Sequence, residues 1–237
     1  MKNFHPGFLT PRHPPKSANI AAWKLMMAVA ALLFLWFGAY PKSDLLFSAL
    51  FFERSFYGRS GMIPGLVYDS VYLMLVSAIT LILFYFWQSL RRKADWRVPT
   101  FLFGVLMLGP GLLVNAILKE TWGRARPDDV THFGGDAIFT APWLISDQCA
   151  TNCSFVSGHA SMAFFFVALA FIWSGSTRTF WRLFATGWLI GLVMGFVRVY
   201  QGRHFLSDVL WAGVLVSAVA LALHWLLFVM GTTRQPK

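Results

Sequence analysis

Charged residues are scarce in this chain. Only 13% of its 237 residues are charged, whereas a water-soluble domain usually carries about 25% because its surface must face water. Hydrophobic residues make up 57% of the chain and aromatic residues 17%. These figures exclude a disordered chain, a collagen-like repeat and a coiled coil, which all need far less hydrophobic sequence. The composition is that of an integral membrane protein.

Acidic residues are especially few, with 10 against 20 lysines and arginines and a formal net charge of +10. A basic balance can indicate a nucleic-acid partner. Here, however, the basic residues lie in short segments between long apolar runs rather than along one polar face. We therefore expect a lipid bilayer and no nucleic acid, and nothing in the sequence calls for an obligatory protein partner.

Six stretches are apolar over about 20 residues, the length that a helix needs to cross a bilayer. Helices satisfy their own backbone amides in lipid, and the alternation of a membrane barrel strand is absent. The first stretch has no small-residue cleavage site, so we expect an uncleaved span. The predicted fold is all-α, a polytopic bundle of six transmembrane helices at 20–231 between tails 1–19 and 232–237. The predicted spans are 20–40, 66–88, 98–118, 157–174, 183–200 and 208–230.

The distribution of lysine and arginine predicts the orientation of the bundle. With both termini in the cytoplasm, the inner segments hold most basic residues and a single acid, Asp95, as the positive-inside rule requires. The outer segments are then 41–65, 119–156 and 201–207. The first of these is either an amphipathic helix in the membrane interface or a loop packed on the bundle. The chain is thus predicted to lie in a bacterial inner membrane with its outer face towards the periplasm.

Several basic residues break the positive-inside rule because they lie near the outer ends of spans. Ionisable groups at that depth are expensive and usually functional. Converging cations indicate an anionic ligand, and phosphate suits both the arginine fork and the lysine point charge. The alternative is that these side chains snorkel to lipid headgroups or pair with acids on the outer side, and it applies particularly to Arg124 and Arg203. The five basic residues are Lys119, Arg124, Arg126, Arg198 and Arg203.

Two histidines belong to the same outer face. His159 follows Ser157 and Gly158 where the fourth span begins, and the free amides of a helix N-terminus bind anions. His204 and Asp208 are four apart, which places them on one helix face. A carboxylate that holds one imidazole nitrogen leaves the other free as a nucleophile or base, although a purely structural pair fits equally well.

The other histidines carry less information. His224 is expected to be structural, and His5 and His13 belong to the proline-rich N-terminal tail.

A metal site is the competing chemistry. His159, His204 and Asp208 match a set of two histidines and one carboxylate. The cations on the same face would repel a metal ion, so the sequence favours phosphate chemistry without a metal or other cofactor.

Three segments together resemble the signature of the type 2 phosphatidic acid phosphatase superfamily. Lys119 to Arg126 and Pro127 matches Lys-x6-Arg-Pro. Ser157-Gly158-His159 matches Pro-Ser-Gly-His with Val156 in place of the proline. The segment from Arg198 through His204 to Asp208 matches Ser-Arg-x5-His-x3-Asp with Val197 in place of the serine. The two departures affect a turn-stiffening residue and an accessory hydroxyl.

The resemblance implies a helical bundle with its active site at the bilayer surface. It implies that His204 attacks phosphorus to form a phosphohistidine, with Asp208 orienting and activating it. His159 would protonate the departing oxygen and later activate water. The phosphoryl oxygens would be held by Lys119, Arg126, Arg198, Ser157 and Gly158.

The two cysteines, Cys149 and Cys153, immediately precede the Ser-Gly-His segment. An oxidising periplasm allows a disulfide between them, which would restrain the approach to Ser157. Two free thiols are the alternative.

The sequence indicates an amphiphilic phosphate ester as substrate. A lipid A phosphate is favoured because the cationic outer surface suits a polyanionic headgroup, and 133–149 is the expected selectivity loop. Phosphatidylglycerophosphate and undecaprenyl diphosphate remain open, as does transfer of the phosphoryl group to an acceptor lipid. The non-enzymatic alternative is a lipid-phosphate transporter or binding protein. A transporter is expected to show internal repeats or charges at the bilayer midplane, and the sequence shows neither.

Overall fold

A computed structural model describes residues 11–59 and 61–230. Within these ranges the chain is helical, and its β-type pairings are isolated bridges. Short 3₁₀ turns lie at Tyr57–Arg59, Pro127–Asp129 and Thr131–Phe133. The helices are α1 (Lys16–Ala39), α2 (Ser43–Ala49), α3 (Met62–Leu90), α4 (Arg97–Thr121), α5 (Gly158–Trp173), α6 (Thr177–Tyr200) and α7 (Leu206–Met230).

The predicted all-α bundle is confirmed, and among the described residues five helices are long and apolar enough to cross a membrane: α1, α3, α4, α6 and α7. The predicted span 157–174 is helical as α5 but shorter than a full span. Its side chains are enclosed by the other helices, and Ala163, Phe164 and Val167 are fully buried. A helix enclosed by protein at the centre of a bundle is as apolar as a helix that faces lipid. For this reason the sequence predicted six full spans.

Close packing between α5 and α6 depends on glycine. A Cβ on Gly187 would lie 2.6 Å from the backbone nitrogen of Val167, and one on Gly191 would clash with the ring of Phe164. Small residues let helix backbones approach closely in membrane bundles. These glycines therefore allow the short helix α5 to sit inside the bundle.

Helix α4 widens into a π-helix over Met107–Leu118. Pro110 lies in this stretch, and a proline inside a helix removes one backbone hydrogen bond and crowds the preceding turn. The side-chain amide of Asn115 donates to the carbonyl of Pro110 at 2.7 Å. This widened segment leads directly to Lys119.

The described part of the predicted tail 1–19 packs on the bundle. Helix α1 begins at Lys16, and the amide of Arg12 donates to the carbonyl of Ile172 at 2.7 Å. Nδ1 of His13 lies 3.1 Å from the carbonyl oxygen of Phe171. Carbonyls at a helix C-terminus lack hydrogen-bond partners within the helix. Arg12 and His13 provide partners for two such carbonyls at the end of α5. Residues 1–10, including His5, and the predicted tail 232–237 lie outside the described residues.

His224 has a partner that the sequence did not reveal. Its Nδ1 lies 2.7 Å from the side-chain amide nitrogen of Asn19, on helix α1. The expectation of a structural role agrees with this buried contact between α1 and α7.

The segment 41–65 contains a short helix, α2, that packs on the bundle. Asp44, Leu45 and Ser48 face inwards and are buried, whereas Leu46 and Leu50 are exposed. The helix is thus both packed against the protein and apolar on its outer side. Its inward face carries Asp44 to the site described next.

Candidate active site

Backbone hydrogen bonds bring the three motif segments together at one end of the bundle. The amide of Cys153 donates to the carbonyl of Lys119 at 2.9 Å, and the amide of Ser154 to that of Arg124 at 2.8 Å. The amide of Ser157 donates to the carbonyl of Asp208 at 3.2 Å. The end of α4, the loop before α5 and the start of α7 therefore form one connected unit.

The imidazole of His204 is almost completely buried, and its Nδ1 lies 2.8 Å from the carbonyl oxygen of Ser154. A carbonyl oxygen can only accept, so Nδ1 carries the hydrogen and Nε2 is left with a free lone pair. The Asp208 carboxylate is further away, with Oδ2 at 3.8 Å from Nδ1. The expected pairing of histidine and aspartate is therefore looser than the sequence suggested, and a backbone carbonyl fixes the tautomer.

Burial lowers the pKa of His204 to about 3, and the nearby cations Lys119 and Arg198 act in the same direction, while Asp208 opposes them. A pKa this far below neutrality keeps the ring uncharged at pH 7. A neutral imidazole with a free Nε2 is the form that can act as a nucleophile.

Asp208 is fully buried and has its own set of donors. Its carboxylate accepts from the guanidinium of Arg124 at 2.5 Å, the hydroxyl of Ser154 at 2.5 Å and the amide of Phe205 at 2.9 Å. These bonds occupy the oxygens that would otherwise approach His204. Because Ser154 contacts both His204 and Asp208, it connects the histidine and the aspartate.

Arg124 pairs with acids, as one of the two sequence alternatives proposed. Its guanidinium contacts Asp44 at 2.8 Å as well as Asp208, and all three side chains are fully buried. It also donates to the hydroxyl of Ser207 at 2.9 Å. Arg203 likewise pairs with Asp128, at 2.7 Å, and Arg59 contacts the same carboxylate at 2.9 Å.

His159 lies near the start of α5, where the hydroxyl of Ser157 accepts from the amide of Ala160 at 3.4 Å and so caps the helix. Gly158 is in close contact with α4, because a Cβ there would lie 2.7 Å from the side-chain oxygen of Asn115. The lack of a side chain at this position lets the helix N-terminus approach α4.

Three cations surround the histidines. Lys119 and Arg198 are buried, and both lie near enough to interact electrostatically with His204. Together with Arg126 they also act on His159. Burial, followed by the positive charge of Arg203, lowers the pKa of Arg126. Like charges crowded in a partly dry site favour an anion that would neutralise them.

Two cavities meet at this site. One of about 360 Å³ has walls from α3 and α4, including Leu75, Leu106 and Met107, and ends at Lys119 and His159. The other, of about 320 Å³, is lined by polar and charged residues that include Arg59, Arg198, Gln201 and Arg203. The first offers an apolar wall next to the histidine, and the second offers positive charge. Tyr68 lines both cavities.

The loop before α5 is held by a disulfide between Cys149 and Cys153, whose Cα atoms are 5.6 Å apart. Asn152, in the same loop, accepts through its carbonyl from Arg126 at 2.6 Å. Among the residues described, no three histidine, cysteine, aspartate or glutamate side chains are grouped so that they could hold a metal ion.

Sequence reasoning missed three residues of this site. Asp44 carried a weak signal, because it is one of two acids that flank the apolar stretch 45–52. Ser154 acts partly through its backbone carbonyl, which no residue type can reveal. Tyr68 carried no signal, since aromatic residues are common throughout the spans.

Comparison with known proteins relates most of the chain to one family. Residues 99–232 match the PAP2 superfamily. The lipid A 4'-phosphatase of Francisella tularensis subsp. novicida (strain U112) is 33% identical over 206 residues, which are 83% of this chain and 92% of that protein. The lipid A 4'-phosphatase of Rhizobium leguminosarum is 39% identical over 120 residues, 50% of this chain and 51% of that protein.

A solved structure shares the fold. The crystal structure of the first transmembrane PAP2 type phosphatidylglycerolphosphate phosphatase from Bacillus subtilis aligns with a TM-score of 0.54 at 21% identity. The alignment covers 92% of this chain and 98% of that chain.

Proposed function

Because this chain belongs to the PAP2 superfamily and is a multi-pass membrane lipid phosphatase, we propose that it removes a phosphate from lipid A through a phosphohistidine intermediate. The observation that carries the mechanism is the hydrogen bond from His204 Nδ1 to the carbonyl of Ser154. It leaves Nε2 of a buried, neutral imidazole free beside buried cations. The relatives that are lipid A 4'-phosphatases support the substrate.

In the first step, Nε2 of His204 attacks phosphorus while the bond from phosphorus to the lipid oxygen breaks. His159, which keeps its proton because the negative charge of the bound phosphate offsets the surrounding cations, donates that proton to the departing oxygen, and the product is a dephosphorylated lipid and a phosphohistidine. In the second step His159 takes a proton from water, the water oxygen attacks phosphorus, and the bond to Nε2 breaks. Inorganic phosphate leaves and both histidines return to their starting states.

The phosphoryl oxygens are held by Lys119, Arg126 and Arg198, with the Ser157 hydroxyl and the Gly158 amide at the start of α5. Donors fixed in a partly dry site stabilise the charge that develops in the transition state, and the loss of one typically costs about 10²–10³ in rate. Asp208 acts one step further away, because its carboxylate secures Ser154 and Arg124 around the nucleophile.

In this proposal the reaction needs no metal or other cofactor, because Lys119, Arg126 and Arg198 supply the positive charge that a metal would otherwise provide to the phosphate. Their charge would also repel a metal ion.

The cell compartment is part of the proposal. A bacterial inner membrane with both termini in the cytoplasm and the site towards the periplasm is supported by the distribution of basic residues. The disulfide beside the site suits an oxidising compartment.

The test is phosphate release by the purified protein in detergent from a panel of lipid A, phosphatidylglycerophosphate, phosphatidate and undecaprenyl diphosphate. We expect release from lipid A that persists in EDTA, is inhibited by vanadate and is lost in His204→Ala. Reversible loss of phosphate release in EDTA would instead support a metal-dependent mechanism. Preference for another lipid would reject the substrate, and phosphate found on an acceptor lipid would indicate transfer. Lipid binding without any release would indicate a transporter or binding protein.

A further inference from the structure

The imidazole of His159 is oriented by an aromatic ring. Its ring centroid lies 4.5 Å from that of Tyr68, with an angle of 29° between the planes, which is a stacked arrangement. No side-chain hydrogen bond joins this imidazole to another part of the chain that the structure describes. This contrasts with His204, whose ring is fixed by the carbonyl of Ser154. Stacking is therefore the identifiable restraint on the plane of the His159 ring.

Tyr68 also contacts the phosphate-binding group Arg198. The guanidinium carbon of Arg198 lies 4.8 Å from the centroid of the tyrosine ring, within the range of a cation–π interaction. One ring of α3 thus connects a residue at the start of α5 with one near the end of α6. Because Tyr68 lines both cavities, it stands where the apolar wall of one meets the charged wall of the other.

We propose that Tyr68 is a positioning residue for His159, a role that depends on the proposed mechanism. The stack holds the imidazole in the plane from which it donates a proton to the departing lipid oxygen. Tyr68 itself exchanges no proton and forms no bond to phosphorus. Its ring, rather than its hydroxyl, is the part that acts.

This role has a kinetic signature. Protonation of the departing oxygen matters greatly for a lipid phosphate, whose leaving group is a poor alkoxide, and little for a nitrophenyl phosphate, whose leaving group is stable as an anion. The quantity to measure is kcat/KM, which reports the steps up to formation of the phosphohistidine. Misplacement of a catalytic group by about 1 Å can cost about 10²-fold in rate.

The experiment compares Tyr68→Leu, Tyr68→Phe and His159→Ala on the preferred lipid phosphate and on an amphiphilic nitrophenyl phosphate, in one detergent. We expect Tyr68→Leu to lose about 10²-fold on the lipid and far less on the nitrophenyl ester. Tyr68→Phe keeps the ring and should retain most of the activity. Tyr68→Leu combined with His159→Ala should be no slower than His159→Ala alone, because the two residues act in one step.

Tyr72→Leu is the matched control. Tyr72 lies one turn along α3 and lines the apolar cavity, and none of the ring contacts among the described residues joins it to His159. Any loss caused by Tyr72→Leu should be similar for both substrates. Elution as a single peak in gel filtration checks that each variant is folded.

The outcomes separate the positioning role from the proposed function. One outcome would overturn the positioning role alone. In it, His159→Ala loses far more activity on the lipid phosphate than on the nitrophenyl ester, whereas Tyr68→Leu loses equally on both substrates. A loss in Tyr68→Phe as large as in Tyr68→Leu would also overturn it, and Tyr68→Phe provides this test even if the leucine variant fails to fold. If the wild-type protein released phosphate from neither substrate, the proposed function itself would fail.

Discussion

Arg124 is the charged residue whose removal should cost the most stability. Its side chain is fully buried, and it contacts the carboxylates of Asp44 at 2.8 Å and Asp208 at 2.5 Å, which are also fully buried. Its guanidinium carbon lies 4.3 Å from the centroid of the Phe205 ring. One cation therefore compensates two buried carboxylates and joins α2, the loop after α4 and α7.

Replacement of Arg124 by Met keeps much of the volume and removes the charge. Two buried carboxylates would then lack their cation, and breaking a buried pair in this way costs about 3–5 kcal/mol in the free energy of unfolding. Hydroxyl donors from Ser154 and Ser207 remain, which favours the lower part of that range. For a chain of this size the melting temperature should fall by on the order of 10 °C.

The measurement is thermal unfolding in detergent, followed by tryptophan fluorescence. Arg203→Met is the matched control, because Arg203 also pairs with an acid, Asp128, but its side chain is 37% exposed. Such a pair contributes about 0–1 kcal/mol. Addition of Asp44→Asn to Arg124→Met should recover part of the loss, since one uncompensated charge is removed. Equal melting temperatures for Arg124→Met and Arg203→Met would refute the reasoning.

Two further changes test the site and the packing. The pKa of His204 is lowered from 6.5 to about 3, so the unfolded chain binds a proton that the folded chain does not. The free energy of unfolding should therefore fall as pH drops from about 6.5 towards 3, by up to about 1.4 kcal/mol per pH unit for one proton. In His204→Gln the free energy of unfolding should depend less steeply on pH, and an unchanged dependence would contradict this. Gly187→Ala should destabilise by about 1–3 kcal/mol, because its Cβ would meet the backbone of Val167. Gly65→Ala in α3, where a Cβ meets nothing within 4 Å, should be neutral or stabilising, and equal effects in thermal unfolding would count against the packing explanation.

The membrane helices were predictable because hydropathy is a local property. Each predicted span begins and ends within several residues of its observed helix. The largest shifts are at 183–200, whose helix begins at Thr177, and at 20–40 and 66–88, whose helices begin at Lys16 and Met62. The prediction failed where two environments look alike in composition. Helix α5 is apolar because it is surrounded by protein, and a hydropathy pattern cannot distinguish protein from lipid.

The charged residues of the candidate site could be singled out in the sequence for the opposite reason. A lysine or arginine beside an apolar run is costly unless it has a partner, so its position in the sequence is enough to indicate a site. The choice of partner could not be foreseen. Arg124 and Arg203 bind acids, whereas Lys119 and Arg198 surround the histidines, and this division depends on which helix ends meet.

Residue types along the chain thus established a membrane bundle, a cationic face and two histidines with the motifs of a phosphatase family. Folding alone decided that a backbone carbonyl at Ser154 holds His204, that Asp44 reaches Arg124, and that the Tyr68 ring lies against His159. Hydropathy and charge belong to each residue wherever it lies. Hydrogen bonds and ring contacts between distant segments exist only after the chain has brought those segments together.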